Sequence, residues 1–242
     1  MDELLTTIEN EWRLFMKFDP TVKSIMPLIE NGTATYSQAH AYAIRVGEIL
    51  HGCVSKHIAD AGELTAEAIE SLLKPLLRNN AADIADICEK IQNSINEAAE
   101  ISLQAQRAAM PASRIDGITK AAIKEDGLDQ LKEHIIQLGQ SMVDSSIQAN
   151  AEFLDDVGLK GVIIRQTEPY ATGVESRPTG GRKKPRTYSM PCKWCQSLAG
   201  KYAYGTEPDE VYHRHSGCRC VTDYVVGKKR QDVWSKAEKY EV

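Results

Sequence analysis

The sequence predicts an α+β chain: a mainly α-helical N-terminal part, as a bundle or an elongated arm, followed by a small β-rich C-terminal domain. Three observations carry this. Apolar residues recur at steps of three and four through the first 157 residues, with no period of two among them. At Gly158 the texture changes to short β-branched runs separated by polar turns. Four of the six cysteines and two of the six histidines then fall within the 29 residues from 192 to 220.

The opening Met1-Asp2-Glu3-Leu4-Leu5 is acidic and amphipathic, unlike a secretory signal. Asp19-Pro20 is a cap with proline at the first helical position, and Asn31-Gly32 closes that helix. Thr35 or Ser37 caps a longer helix whose stripe is Tyr36, Ala39, Ala43, Val46, Leu50, Cys53, Val54 and His57. Thr65 opens the next helix, which Pro75 is expected to kink or end. Ile84, Ile87, Cys88, Ile91, Ile95 and Ala98 form a further face, broken at Pro111-Ala112-Ser113. Leu128, Leu131, Ile135, Leu138, Met142 and Phe153 mark the last long helix, ending near Gly158. The stripes read first as core seams of residues 1–157 and second as a groove for a partner. Cys53 and Cys88 lie on them and read as plain buried cysteines.

Residues 158–226 form the predicted second part. Gly161-Val162-Ile163-Ile164-Arg165-Gln166 reads as a strand. The polar stretch Thr172–Thr187 reads as a mobile arm with Arg182, Lys183, Lys184 and Arg186 at its centre. Four cations in five residues can neutralise phosphates, although the run holds no aromatic residue to stack on a base. Lys201–Tyr204 and Val221–Val226 read as strands around the cysteine segment. Residues 227–242 read as a short tail, basic at Lys228-Lys229-Arg230 and helical around Trp234.

Charge divides along the same line. Residues 1–157 hold 13 Lys+Arg against 25 Asp+Glu, a net of −12, whereas residues 158–242 hold 16 against 9, a net of +7. The basic part is expected to face nucleic acid, an acidic protein surface or its own acidic N-terminal half. No apolar run is long enough to span a membrane. A reducing cytoplasm, or something assembled there, is the expected setting, where cysteines favour metal over disulfides.

Cys192-Lys193-Trp194-Cys195 points two thiolates at one spot. His215-Ser216-Gly217-Cys218-Arg219-Cys220 repeats the spacing and can supply the remaining corners of a tetrahedron, the geometry Zn²⁺ takes in structural sites. Two disulfides among the four cysteines are the alternative. Cys192, Cys195, His215 and Cys218 are the favoured ligands, with Cys220 competing with His215; an extended Cys218-Arg219-Cys220 is poorly spaced for both thiolates to bind. His213 reads as a surface or supporting residue. Three thiolates and an imidazole would close the site and make the zinc structural. Two short strands alone bury too little to fold, so the metal is expected to supply the folding energy of this domain.

Cys192-x2-Cys195, Leu198-Ala199-Gly200-Lys201 and His215-Ser216-Gly217-Cys218-Arg219-Cys220 together resemble the C-terminal domain of tailed-bacteriophage minor head proteins, the Mu F-like or head-morphogenesis family. In that family a His-Pro-Asn-Cys-Arg-Cys signature follows the knuckle, and Ser216-Gly217 stands here for Pro-Asn. The resemblance spans about residues 188–226. It implies a non-enzymatic minor capsid protein of the virion, assembled in the host cytoplasm and acting in head assembly, at the portal or on packaged DNA. The acidic helices would face portal, scaffold or major capsid protein, and the basic arm would face DNA. Two rivals stay open. A zinc-ribbon nucleic-acid-binding protein would bind DNA through residues 158–242 alone, with strong salt dependence. An HNH-like nuclease would need a general-base histidine and a further His or Asn on a following helix, and the 22 residues after Cys220 hold neither.

Overall fold

Six helices precede the first strand in the computed structural model, which describes residues 2–124, 126–167, 170–175, 186–189, 193–215, 217–226, 228–231 and 238–241. They are α1 (Asp2–Phe18), α2 (Pro20–Glu30), α3 (Tyr36–Ala61), α4 (Ala66–Ala98), α5 (Ala112–Ala122) and α6 (Gly127–Asp156). In α1 the acidic first turn suits the helix dipole, and Ile8, Trp12 and Met16 form one buried stripe at steps of four. Asp19 caps α2 by accepting from the Thr21 and Val22 N–H groups, with Pro20 behind it; Gly32, at φ +67°, ends the turn beyond Asn31. Thr35 caps α3 in a reciprocal box with Gln38.

Two expectations are corrected here. Pro75 neither ends nor divides its helix: α4 continues for 33 residues. Leu72, Leu73, Leu76 and Leu77 flank the proline and are fully buried, so tertiary packing on both sides outweighs the one lost backbone hydrogen bond. Pro111 does not break a helix; it begins α5, while residues 99–111 run without regular structure. Asparagines hold that run in place. Asn93 accepts from Ala105 N, and Asn150 both accepts from Gln106 N and donates to Gln106 O.

α3 and α6 cross closely because glycines face each other's helix. A Cβ on Gly139 would stand 2.9 Å from Ile84 Cδ1 and 3.3 Å from Ala43 Cβ, and one on Gly47 would stand 3.3 Å from Ile135 Cγ2.

Strands β1 (Gly161–Gln166), β4 (Gly200–Ala203) and β5 (Val221–Val226) form an antiparallel sheet in the order β4-β1-β5, with Ile163 opposite Tyr202 and Tyr224. The sheet is not a separate module. Ile163, Val211, Tyr224 and Val226 belong to the same buried core as α1–α6. β5 packs on α3, α4 and α6. Its Asp223 caps α3 across the molecule, accepting from Thr35 Oγ1 at 2.9 Å, Ser37 Oγ at 3.0 Å and Tyr36 N at 3.2 Å. The buried cluster thus runs across the expected boundary at residues 157 and 158. These strands share apolar burial with the helices, so they are not limited to the apolar area of two isolated strands.

The expected mobile arm is tied at both ends, because β2 (Tyr170–Glu175) pairs with β3 (Arg186–Ser189) in antiparallel register; residues 176–185 lie outside the described residues. The tail holds a strand pair, β6 (Lys228–Gln231) with β7 (Glu238–Glu241), and the helix expected around Trp234 falls at residues 232–237, outside the described residues. The strand pairing joins segments that periodicity within either one cannot reveal. No helix among the described residues is long and apolar enough to cross a membrane.

Candidate metal centre

Two short segments build the centre. Helix α7 (Lys193–Ser197) carries Cys195 inward and turns through Leu198 into β4. On the other side a turn closes from Cys218 N to His215 O at 3.0 Å, with Gly217 at φ +73°. This left-handed residue is where the turn requires glycine. Cys218-Arg219-Cys220 follows as irregular chain before β5, so both thiols reach the same side. This is the tight, non-extended course that the sequence reading requires for both thiolates to approach one point. Arg219 leaves in the other direction and forks onto Glu133 of α6, at 3.1 Å to Oε1 and 2.9 Å to Oε2.

The Sγ atoms of Cys195, Cys218 and Cys220 lie within 4.8 Å of one another, and Cys195 and Cys218 are 4.0 Å apart. A tetrahedral zinc with Zn–S bonds of about 2.3 Å sets its sulfurs ~3.8 Å apart. The three thiols therefore stand at nearly the spacing such an ion needs, and the cluster could hold a metal ion. His215 Nε2 is 3.1 Å from Cys195 Sγ, so His215 stands against the cluster although it is exposed. His213 is exposed at the rim. Cys192, Arg182, Lys183 and Lys184 lie outside the described residues; Arg186 opens β3 opposite Glu175.

The electrostatics suit anionic sulfur. The Cys218 thiol is drawn down to about 5, first by a hydrogen bond from the Cys220 thiol and then by the Arg214 and Arg165 charges, against the effect of burial. Cys220 moves the opposite way because it keeps the proton that the pair shares. A thiolate is the form that binds metal.

Arginines fasten the loop to the helices. Arg214 donates to both oxygens of Asp144 on α6, from Nε at 2.7 Å and Nη2 at 2.8 Å, and also to Cys220 O. Burial pushes the Asp144 carboxyl up, but the Arg214 charge and then His40 outweigh it and hold Asp144 below the usual range. His40, on α3, is fully buried 3.5 Å from Asp144. Burial, reinforced by Arg214, pulls it down to about 3, so it is neutral. Arg165 of β1, also buried, donates to the carbonyls of Val211 and His213. Gly217 N donates to Glu133 Oε1 at 2.8 Å.

Sequence reasoning missed Asp144, Glu133, His40 and Arg165. The signal available was an acid or histidine set within an apolar helical stripe, as Asp144 is between Val143 and Ile147.

Cys195 beside His215 invites comparison with a nucleophile and its base. Cys195 is only 2% exposed and two further thiols crowd it, so metal ligation suits it better than attack on a substrate. Cys53 and Cys88 are buried and free, and burial raises both thiols. No family model matches the chain, and no curated protein or solved structure matches it either.

Proposed function

We propose that the chain is a minor structural component of a tailed-phage head, in which one zinc ion locks the basic C-terminal part against the acidic helices. The observation that carries this reading is the convergence of Cys195, Cys218 and Cys220 in one buried cluster. These belong to the segment that resembles head-morphogenesis proteins. With His215 or Cys192 at the fourth corner the set would be closed to substrate, which favours a structural over a catalytic ion.

Charge placement supports the choice of partners. Arg165, Arg214 and Arg219 are engaged inside the molecule with carbonyls, Asp144 and Glu133. Of the three faces considered for the basic part, its own acidic half engages Arg214 and Arg219, and Arg165 is spent on carbonyls within the C-terminal part, which disfavours a DNA-binding ribbon acting through this segment. The acidic helices are then left to meet portal, scaffold or major capsid protein. The run Arg182-Lys183-Lys184-Pro185-Arg186 is the segment left for packaged DNA.

Two residues compete for the fourth corner: His215, already in contact with Cys195, and Cys192, completing the knuckle. Native mass spectrometry of the full-length protein is expected to show one zinc per chain. Zinc lost in Cys192→Ser but kept in His215→Ala assigns the corner to Cys192; the reverse assigns it to His215. No metal, with all four cysteines open to alkylation, would overturn the centre. A zinc-bearing protein that accompanies neither heads nor their precursors through gradient purification would overturn the head assignment alone.

A further inference from the structure

Beside the metal centre, between α5, α6 and the His213–His215 segment, lies a cleft of about 550 Å³. That is within the range of small-molecule sites. Arg114, Trp194, Tyr212, His213, Arg214 and His215 line it, with no carboxylate among the described lining. The two arginines differ in their commitments. Arg214 is bound to Asp144 through two nitrogens. Arg114 makes no hydrogen bond or salt bridge among the described residues. Partial burial and the neighbouring Arg214 charge draw it down, against the pull of Asp144, but a guanidinium stays protonated in a protein. Asp144 is hydrogen-bonded to Arg214 and reaches Arg114 only through its charge, so among the described residues the Arg114 guanidinium has its N–H groups open to a ligand.

Its walls supply the other half of a recognition site. Trp194, on the outer side of α7, is 39% exposed. It meets the His215 ring edge-on at 6.1 Å between centroids. An indole of this kind stacks on any base, and a guanidinium fork matches phosphate through paired N–H groups. We propose that this cleft binds a nucleotide unit, with its phosphate on Arg114 and its base against Trp194. The proposal is independent of where the protein resides and of the basic arm at residues 182–186.

Calorimetric titration of the full-length protein as purified tests it, with thymidine monophosphate, inorganic phosphate, thymidine and an eight-residue oligothymidylate as probes. Thymidine monophosphate is expected to bind saturably, and phosphate and thymidine each more weakly. Arg114→Gln is expected to weaken the monophosphate about tenfold, the effect of losing a charge-assisted contact, and to leave thymidine unchanged. Trp194→Ala is expected to weaken both thymidine and its monophosphate and to leave phosphate unchanged. Both positions are solvent-exposed, and helix content and zinc content verify the variants. An oligonucleotide bound more tightly than the monophosphate, and still weakened by Arg114→Gln, identifies a single strand as the source. Equal affinity identifies a free nucleotide. No saturable monophosphate binding, or binding unmoved by both substitutions, would overturn the proposal.

Discussion

Asp144 shows what a single carboxylate does inside this molecule. It is 3% exposed and answers a guanidinium 70 residues further along the chain. Asp144→Asn leaves Arg214 buried beside a neutral amide, and the expected loss is about 3–5 kcal/mol. Urea unfolding measures it, and the double variant Asp144→Leu/Arg214→Met should recover most of the loss because neither charge is then stranded. A loss below 1 kcal/mol in Asp144→Asn would mean that the pair is solvated in solution. Neighbouring His40 sets an acid response. Its folded pKa of about 3 lies far below the ~6.5 of the unfolded chain. The unfolded state therefore takes up a proton that the folded state refuses, and stability declines as pH falls below about 6.5. Asp144 and Glu133 are held below the ordinary carboxylate range, so their contributions are complete above pH ~4 and drain away below it. Unfolding measured from pH 7 to pH 3 should show a decline starting near 6.5, and in His40→Gln the decline between about 6.5 and 4 should be smaller, with His51, also lowered by burial, supplying the remainder.

At the scale of elements, two features set the geometry. Gly139 lets α6 approach α3 and α4 closely, so Gly139→Leu should cost about 2–3 kcal/mol by overpacking, read from the thermal midpoint with helix content unchanged. Asp223, within β5, caps the start of α3; Asp223→Ala should cost about 1 kcal/mol, the usual loss of a cap, with slower-exchanging amides lost first at residues 35–38. The caps that sequence reveals are the local ones. Asp19-Pro20 and Thr35 with Gln38 act within a turn of their own helix, and both are visible as patterns. Asp223 acts across 188 residues and has no such signature. Pro75 misleads for the same reason: the leucines that hold α4 continuous draw their support from other helices. Helix α5 escapes notice because its 11 residues bury only Ile115, Ile118, Thr119 and Ala122, too short a stripe to stand out.

Among the described residues the helices and the three-stranded sheet share one large core, with the cysteine cluster a small second one beside it. The cysteine cluster was legible in sequence because Cys195, Cys218 and Cys220 lie within 26 residues of one another and metal chelation imposes strict spacing. The anchors Glu133 and Asp144 were not, because α6 supplies them from far along the chain. This shared core revises what metal removal does. Cys195→Ser should abolish zinc binding and loosen residues 193–220 to protease, while Arg214–Asp144, Asp223 and the Ile163–Tyr224 packing keep the sheet on the helices. Near-UV circular dichroism should change only in part; complete loss of the sheet signal would mean that the metal, and not the core, holds it. The position of β5 has a further consequence for biogenesis. Tyr36 and His40 of α3 meet Asp223 and Thr222 of β5, so a nascent chain stopped at residue 157 leaves that side of α3 uncovered. Such an intermediate invites chaperone capture or aggregation. Its long-range closure makes the last step of folding slow relative to the helices themselves.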